Sequence, residues 1–296
     1  MVPLTPRIHF YEINDQSWFP PYLRSKVQSC LTLLWTLTIP PIQPTSPASL
    51  VARTLQRILG PSITTYTYVD FAAGAGGPTP YIERDLNARL RAQPALSTAN
   101  GRHAEASADA GVDFVLTDIH PHLEAWAAAA KKSANLRFVA RSVDAGDAPR
   151  DLGQGEGKKV FRLFNLAFHH FDDGLARRIL RNTLETSEGF GIFELQGRTA
   201  ASLFTVSMMW PLLLLITPFY YWRSPGHLFF TYLVPVIPFV LVFDGYVSSL
   251  RTRNPRELLE LMEGVEEVEG WKFRGGSELH TWPTGEMTWF IGVREE

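Results

Sequence analysis

The amino-acid sequence predicts an α/β fold whose open sheet is mostly parallel and is covered by helices on both faces. Short β-branched and apolar segments alternate with helical patterns between residues 65 and 195, which is typical of such sheets. After residue 270, two β-rich runs flank 284–285 and predict a terminal hairpin that adds antiparallel strands at one edge. Between these parts lie two apolar stretches without a charged residue, 203–222 and 227–243, which predict an inserted helical hairpin.

Length and composition narrow the class of protein. The 296 residues are enough for one large domain or two small ones. The formal net charge of -2 argues against nucleic acid as the main partner. Cys30 is the only cysteine, so the sequence excludes an intrachain disulfide and a zinc site with several thiolates, and it favours a reducing compartment. The first 24 residues lack the pattern of a secretory signal, which predicts an intracellular protein.

Local patterns place the elements in chain order. A helix begins after Pro21 and is ended by the prolines near residue 40, and a second helix covers 49–59. Residues 93–110 are rich in Ala and Ser without periodicity and predict a mobile insertion. The predicted core strands are 65–71, 113–117, 136–139, 159–166 and 189–195, and the core helices are 81–90, 123–132, 174–186 and 255–262. The predicted regions are an N-terminal helical region (1–60), the first part of the core (61–200), the apolar hairpin (201–243) and the rest of the core with the terminal hairpin (244–296).

Acidic and small residues follow the first two predicted strands. Asp70 ends the first strand, and Ala72, Gly74 and Gly76 follow at alternate positions. Ligands of an open α/β sheet bind at the carboxyl ends of the strands, and small residues let a ligand lie against the backbone. Asp118 ends the second strand, where a carboxylate can bind a ribose diol. The pattern predicts a nucleotide-type ligand, although a glycine turn on its own is equally typical of an ordinary tight turn.

Four segments carry motifs in a defined order: VDFAAGAGGP (69–78), LTDIHP (116–121), SVDAGD (142–147) and LFNLAFHHFDD (163–173). Together they resemble the motifs of class I S-adenosylmethionine-dependent methyltransferases.

This resemblance covers about residues 45–200 and 244–293, and it departs from the family pattern at Ala72, where the family has glycine. It implies a Rossmann-like sheet of seven strands, S-adenosylmethionine as the cofactor and a small-molecule acceptor. NAD fits less well, because its fingerprint needs a third glycine where this chain has Thr79. The cofactor-binding residues implied by the resemblance are Asp70, Ala72, Gly74, Gly76, Asp118, Asp144, Ala145 and Asn165.

Two adjacent histidines after the fourth strand, His169 and His170, are the candidates for a catalytic base. Methyl transfer from a sulfonium mainly requires alignment, and a base is needed only where the acceptor loses a proton. A histidine suits that role near neutral pH, but a His-His-Phe segment is also typical of a wall that shapes a cofactor site. His120 and His122 fit a helix start better than a metal site, and no metal is expected.

The apolar stretches are 20 and 17 residues long, and a helix needs about 20 apolar residues to cross a bilayer. Both flanks belong to one folded domain, so the stretches must return to the same side as a hairpin. Four prolines, Pro211, Pro218, Pro235 and Pro238, favour a bent hairpin that dips into a membrane. The alternative is a buried helical pair or a dimer interface in a soluble cytoplasmic protein.

Arg198, Arg251 and Arg253 flank the apolar stretches, which predicts that the catalytic domain lies on the cytoplasmic side. The whole chain, including WFP (18–20) and FDGYVSSLRTR (243–253), also resembles a methyltransferase-like group of fungi and bacteria. The sequence therefore predicts an intracellular, membrane-associated methyltransferase that acts on a small hydrophobic acceptor. The second hypothesis is a catalytically silent membrane scaffold that keeps the methyltransferase fold. The sequence leaves the oligomeric state open.

Overall fold

A seven-stranded sheet forms the centre of the chain, in the order β3-β2-β1-β4-β5-β7-β6. A computed structural model describes residues 3–92, 111–153, 157–263, 265 and 269–295. Strands β1 to β5 pair in parallel, and β7 and β6 add the antiparallel edge, so the predicted fold class is confirmed. The predicted insertion at 93–110 lies outside the described residues. The strands are β1 (Tyr66–Asp70), β2 (Phe114–Leu116), β3 (Leu136–Phe138), β4 (Lys159–Asn165), β5 (Gly189–Glu194), β6 (Trp271–Thr281) and β7 (Gly285–Arg294).

Helices cover both faces of the sheet. Neighbouring strand residues point to opposite faces, so Tyr68 packs in one core cluster and Val69 in the other. The first cluster includes Leu55, Ile82 and Trp126 from helices α2, α3 and α4, and the second includes residues of α5 and α9. The helices are α1 (Pro21–Thr36), α2 (Pro47–Leu59), α3 (Thr79–Ala92), α4 (Leu123–Ala130), α5 (Asp173–Thr186), α6 (Ala200–Tyr220), α7 (Pro225–Leu228), α8 (Val236–Arg251) and α9 (Pro255–Met262).

The two apolar stretches differ in the structure. The first is the continuous helix α6, which runs through Pro211 and Pro218 and is the one described helix long and apolar enough to cross a membrane. The second is broken: α7 continues into a π-helical turn, Phe229–Leu233, and α8 begins after Pro235, with a bend of 72° between the two limbs. Pro235 lacks the amide hydrogen that would continue the helix, which explains the break.

Helix α1 packs along the apolar hairpin. Residues of α1, including Val27 and Cys30, share a buried cluster with Leu213 of α6 and with Val240 of α8. Gly245 lets α6 and α8 approach closely, because a Cβ at that position would lie 2.8 Å from Val206 Cγ1. The hairpin and α1 therefore form one unit beside the sheet.

The three arginines at the root of the hairpin are buried in ion pairs within the chain. Arg198 pairs with Glu257 and Arg251 with Glu12, and Arg253 pairs with Asp173 over 2.7 Å. These guanidinium groups hold the hairpin, α9 and the N-terminal segment together, so they are not the free basic flanks that the sequence suggested. The cytoplasmic orientation of the core stays a prediction.

Candidate active site

The carboxyl edge of the sheet brings Asp70 and Asn165 together, because β1 and β4 are parallel neighbours. Asn165 Nδ2 donates to Asp70 Oδ1 over 3.2 Å, and Thr79 Oγ1 donates to Asp70 Oδ2 over 2.5 Å. Asp70 is only 2% exposed, and this burial raises the pKa of its carboxyl to about 7, against the hydrogen bonds from Thr79 and Asn165. Asp70 thus links β1, β4 and the start of α3 beneath the glycine turn.

The glycine turn between β1 and α3 has a left-handed backbone at four positions. The φ angles of Ala72, Gly74, Gly76 and Gly77 are 57°, 52°, 107° and 48°. A residue with a Cβ in this region costs about 1–2 kcal/mol, so Ala72 occupies the one position where this turn carries backbone strain. A Cβ on Gly74 would meet no atom within 4 Å, so the surface of the turn is open to a ligand.

Asp118 joins this turn to the loop that follows β2. Its Oδ2 accepts a hydrogen bond of 2.9 Å from the amide of Gly74, and its Oδ1 accepts one of 2.7 Å from the amide of His120. Trp126 Nε1 donates to the carbonyl of Gly74 over 2.8 Å. The two predicted ligand segments are therefore adjacent. Each carboxylate oxygen retains a lone pair that could accept a bond from a ribose hydroxyl.

The segment with Asp144 and Ala145 lies next to Asp118, because the amide of Val143 donates to the carbonyl of Asp118 over 3.0 Å. Asp144 Oδ1 accepts a bond of 2.7 Å from Gly146, and Oδ2 lies 3.2 Å from the Arg178 guanidinium. The structure thus gathers the predicted cofactor residues along one edge of the sheet. Their contacts with a cofactor stay a prediction.

His169 follows β4 and lies between two carboxylates, that of Glu194 at the end of β5 and that of Glu12 in the N-terminal segment. Its Nδ1 is 2.8 Å from Glu194 Oε2, and its Nε2 is 3.3 Å from Glu12 Oε1. Burial opposes the charge on His169, but the two carboxylates outweigh burial and raise the pKa to about 10. His169 is therefore a buried imidazolium at neutral pH and has no free lone pair to take up a proton. This arrangement does not suit the predicted role of a base and favours a role in positioning Glu12 and Glu194.

His170 is the more accessible of the two histidines. Its Nδ1 lies 3.0 Å from Asp15 Oδ2, and its ring lies 4.2 Å from the ring of His169. The side chains of His170 and Asp15 are 31% and 44% exposed. The contact with Asp15 favours the tautomer that carries hydrogen on Nδ1, which leaves Nε2 free to accept a proton. His170 therefore keeps the geometry of a candidate base.

An apolar cavity of about 460 Å³ begins at the two histidines. Its walls come from α1, α6, α8 and the tip of the β6–β7 hairpin, and they include Leu31, Met209, Leu212, Leu241 and Trp282. Its floor carries the polar side chains of Glu12, Asp15, His169, His170 and Asp244. A volume of this size suits a small organic molecule. We call this space the apolar cavity and the five polar residues the floor cluster.

Glu12 and Asp15 were missed by the sequence reasoning. The backbone of the N-terminal segment is tied to the hairpin root by bonds from Leu4 to Arg198 and from Ile8 to Leu250. Asp244 then accepts bonds from the amides of Ile13 and Asn14, over 2.7 and 3.0 Å. The only local signal was the presence of acidic residues among aromatic ones, which does not indicate a site.

Glu12, His169 and His170 offer three possible metal ligand atoms within 4.8 Å of one another. The Arg251 guanidinium, however, lies 3.0 Å from Glu12 Oε1 and 3.4 Å from His170 Nδ1. This guanidinium already supplies a positive charge at the place a cation would take, so the geometry is explained by ion pairs of the chain itself.

Replacing Ala72 by glycine should stabilise the protein by about 0.5–1 kcal/mol, because glycine removes the left-handed strain and loses part of that gain to chain entropy. Chemical denaturation measures the change. Ala75→Gly in the same turn is the matched control and should destabilise instead, because Ala75 has no positive φ. Equal effects of the two substitutions would contradict the strain at Ala72.

The charge on His169 predicts a pH dependence of stability. The folded pKa of about 10 lies above the unfolded value of about 6.5, so the contribution is complete below pH 6.5 and is lost as pH rises through 10. In urea unfolding, the free energy of unfolding of the wild type should exceed that of His169→Gln, and this difference should become smaller between pH 6.5 and pH 9.5. His122→Gln, at an exposed histidine, should leave that slope unchanged. A constant difference between wild type and His169→Gln would contradict the assigned charge.

No protein-family model and no curated protein matches this sequence. The structure of the plantazolicin methyltransferase BpumL in complex with SAH aligns with a TM-score of 0.50 at 13% identity, covering 96% of this chain and 94% of that one. Magnesium protoporphyrin IX methyltransferase from Synechocystis PCC 6803 with bound SAH gives a TM-score of 0.43 at 10% identity, covering 83% of each chain. The pyocyanin biosynthetic protein PhzM gives 0.44 at 13% identity, and the alignment covers 83% of this chain and 55% of that one. With its strand order and hairpin edge, the chain has the fold of class I S-adenosylmethionine-dependent methyltransferases.

Proposed function

We propose that this protein transfers a methyl group from S-adenosylmethionine to a small lipophilic acceptor at a membrane surface. The observation that carries the proposal is the 2.9 Å bond between Gly74 and Asp118, which joins the glycine turn to the neighbouring strand-end acid. Both lie at the sheet edge where β4 leads into the two histidines that line the apolar cavity. A nucleoside-bearing cofactor and a separate acceptor need two such adjacent spaces. The relative BpumL was solved with SAH, and its fold is shared by this chain.

The residues at the glycine turn fit the cofactor. Gly74 has open space where a Cβ would lie, and the Asp118 oxygens each keep a lone pair for a ribose hydroxyl. Asp144 and Ala145 would flank the base, and Asp70 and Asn165 would hold the turn from below. When bound, S-adenosylmethionine supplies a methyl group on a positively charged sulfur with a good leaving group.

The chain then has to position the acceptor and remove its proton. His170 lines the apolar cavity, and Asp15 orients its ring, so His170 Nε2 would accept the proton that the acceptor loses. His169 keeps Glu12 and Glu194 in place as a fixed cation. The apolar walls exclude water and hold the acceptor in line, which is the main requirement of this displacement.

The outer face of the hairpin supports contact with a membrane. Phe219 and Leu233 are 81% and 74% exposed, and other large apolar side chains share this surface. Exposed apolar patches of this kind mark binding to membranes or partners. The bend of 72° between the limbs of the second stretch suits a hairpin that dips into one leaflet, since both ends return to the same core. Tyr220, Trp222 and Tyr232 are exposed aromatic residues of the type found at the membrane–water interface.

Cys30 is free and buried, which is compatible with a cytoplasmic setting for the core.

A catalytically silent scaffold remains the second candidate. One observation favours it: both oxygens of Asp118 already accept backbone hydrogen bonds, from Gly74 and from His120. In a scaffold, Asp118 would serve only to hold the two loops together.

Calorimetry with SAH separates the two candidates. A methyltransferase should bind SAH, and Asp118→Ala should weaken binding by about 10-fold to 100-fold, because a charge-assisted hydrogen bond contributes about 1.5–3 kcal/mol. Asp113→Ala, at the opposite end of β2, is the matched control and should bind SAH like the wild type. Absence of SAH binding by the folded wild type at millimolar concentration would favour the scaffold.

Sedimentation with liposomes tests the membrane contact. The double substitution Phe219→Glu and Leu233→Glu should lower the bound fraction at least tenfold, because each change places a charge on the face that would enter the lipid. Leu259→Glu changes a partly exposed leucine on α9, outside the hairpin, and should leave binding intact. A wild-type protein that ignores liposomes and stays monodisperse without detergent would contradict membrane association.

A further inference from the structure

The apolar cavity has two chemically distinct ends. Its mouth is surrounded by exposed apolar side chains from α6 and two loops, including Phe204, Met208, Leu215, Ile42 and Trp282. At its other end is the floor cluster, in which His169 and His170 follow the carboxyl end of β4. A molecule that fills the cavity must therefore place an apolar body at the mouth and a polar group at the floor.

The floor cluster is poor in free positive charge. Among the residues that the structure describes, no lysine or arginine lines the cavity. His169 is positively charged, but Glu194 and Glu12 already surround it. His280 also lines the cavity, and burial lowers its pKa to about 4, so it is neutral at physiological pH. An anionic group at the floor would thus have no unpaired cation.

Negative charge at the floor adds repulsion. Glu12 is neutralised by Arg251, whereas the carboxylate of Asp15 lies at the surface of the cavity beside His170. Asp244 accepts bonds from the amides of Ile13 and Asn14, but burial raises its pKa to about 7, so it adds only part of a negative charge at neutral pH. Moving an anion from water into such a place costs desolvation energy and gains no ion pair in return.

His170 provides the matching feature for an uncharged group. With hydrogen on Nδ1 facing Asp15, its Nε2 is an acceptor and can receive a hydrogen bond from a hydroxyl. Other neutral partners line the same space, among them Gln196 and the hydroxyl pair of Thr205 and Thr284, whose oxygens lie 2.9 Å apart. An aliphatic ammonium has no lone pair to attack the methyl group and would first have to lose a proton, which the nearby carboxylate of Asp15 opposes.

Resting on the proposed function, we infer that the acceptor is a lipophile with an uncharged hydroxyl group, and that the floor cluster rejects carboxylate and phosphate analogues. In the transfer, the hydroxyl oxygen forms the new bond to the methyl carbon, and the bond from that carbon to sulfur breaks with its electron pair going to sulfur. The hydroxyl proton passes to His170 Nε2. The products are a methyl ether, a neutral thioether and a protonated His170.

Three probes with the same apolar body test the inference: 4-nonylphenol, 4-nonylaniline and 4-nonylbenzoate. Binding to the full chain in detergent micelles is measured by equilibrium dialysis against protein-free micelles. Methyl transfer is measured with radiolabelled S-adenosylmethionine. The phenol should bind at least tenfold more tightly than the benzoate and should be the best methyl acceptor. Equal or tighter binding of the benzoate, faster methylation of the aniline than of the phenol, or no binding of the phenol above the micelle background would overturn the inference.

Variants of the floor cluster separate charge from shape. Asp15→Lys should raise the affinity of the benzoate relative to the phenol at least tenfold, because it puts a cation beside His170. Asp15→Asn should retain phenol binding but lower turnover by roughly 10²-fold, as expected when a base loses the group that orients it. Asp113→Asn, just before β2 and outside the cavity lining, is the control for both. An unchanged probe preference in Asp15→Lys would overturn the role of charge.

Failure of the methyltransferase assignment and failure of this inference about the acceptor give different results. A chain that does not bind SAH would fail the methyltransferase assignment, yet its order of probe affinities would still report the charge preference of the cavity. A chain that binds SAH but prefers the benzoate would keep the methyltransferase assignment and fail this inference.

Discussion

A buried carboxylate, Asp70, holds together the part of the molecule on which the site depends. It is contacted by Asn165 from β4 and by Thr79 from the start of α3, so one side chain fixes three elements at the sheet edge. The glycine turn passes over this point, and its geometry sets where Gly74 can meet Asp118. The strand order places the ends of β1, β2 and β4 side by side, and the polar contacts of Asp70 define the shape of the glycine turn at that edge.

Much of the fold was predictable because its signals are local. The strands are short and β-branched, the helices have apolar faces, and the strand-end acids occur next in the chain. The parallel pairing then brings Asp70, Asp118 and Asn165 to one edge without further information. The prolines predicted bends in both apolar stretches. The second stretch breaks at Pro235, whereas helix α6 continues through Pro211 and Pro218.

The floor cluster was less predictable because its contacts join distant parts of the chain. Glu12 contacts His169 only because the N-terminal segment packs on the hairpin root. No periodic pattern in the sequence predicts this packing. The positive charge on His169 depends on Glu194 and Glu12 together. The sequence alone therefore indicated a catalytic base, whereas the folded protein holds this histidine as a cation. The same reason applies to the three arginines at the root of the hairpin. The sequence suggested exposed charges, but distant acidic residues bury them in ion pairs: Arg198, Arg251 and Arg253.

The floor cluster and its ion-pair partners come from segments near residues 12–15, 169–170, 194 and 244–251. Because synthesis runs from the N-terminus, Glu12 and Asp15 leave the ribosome long before Asp244 and Arg251, which follow the apolar hairpin in the chain. The ion pair between Glu12 and Arg251 therefore cannot form before the whole apolar hairpin has been synthesised, so completion of the floor cluster is a late step in folding.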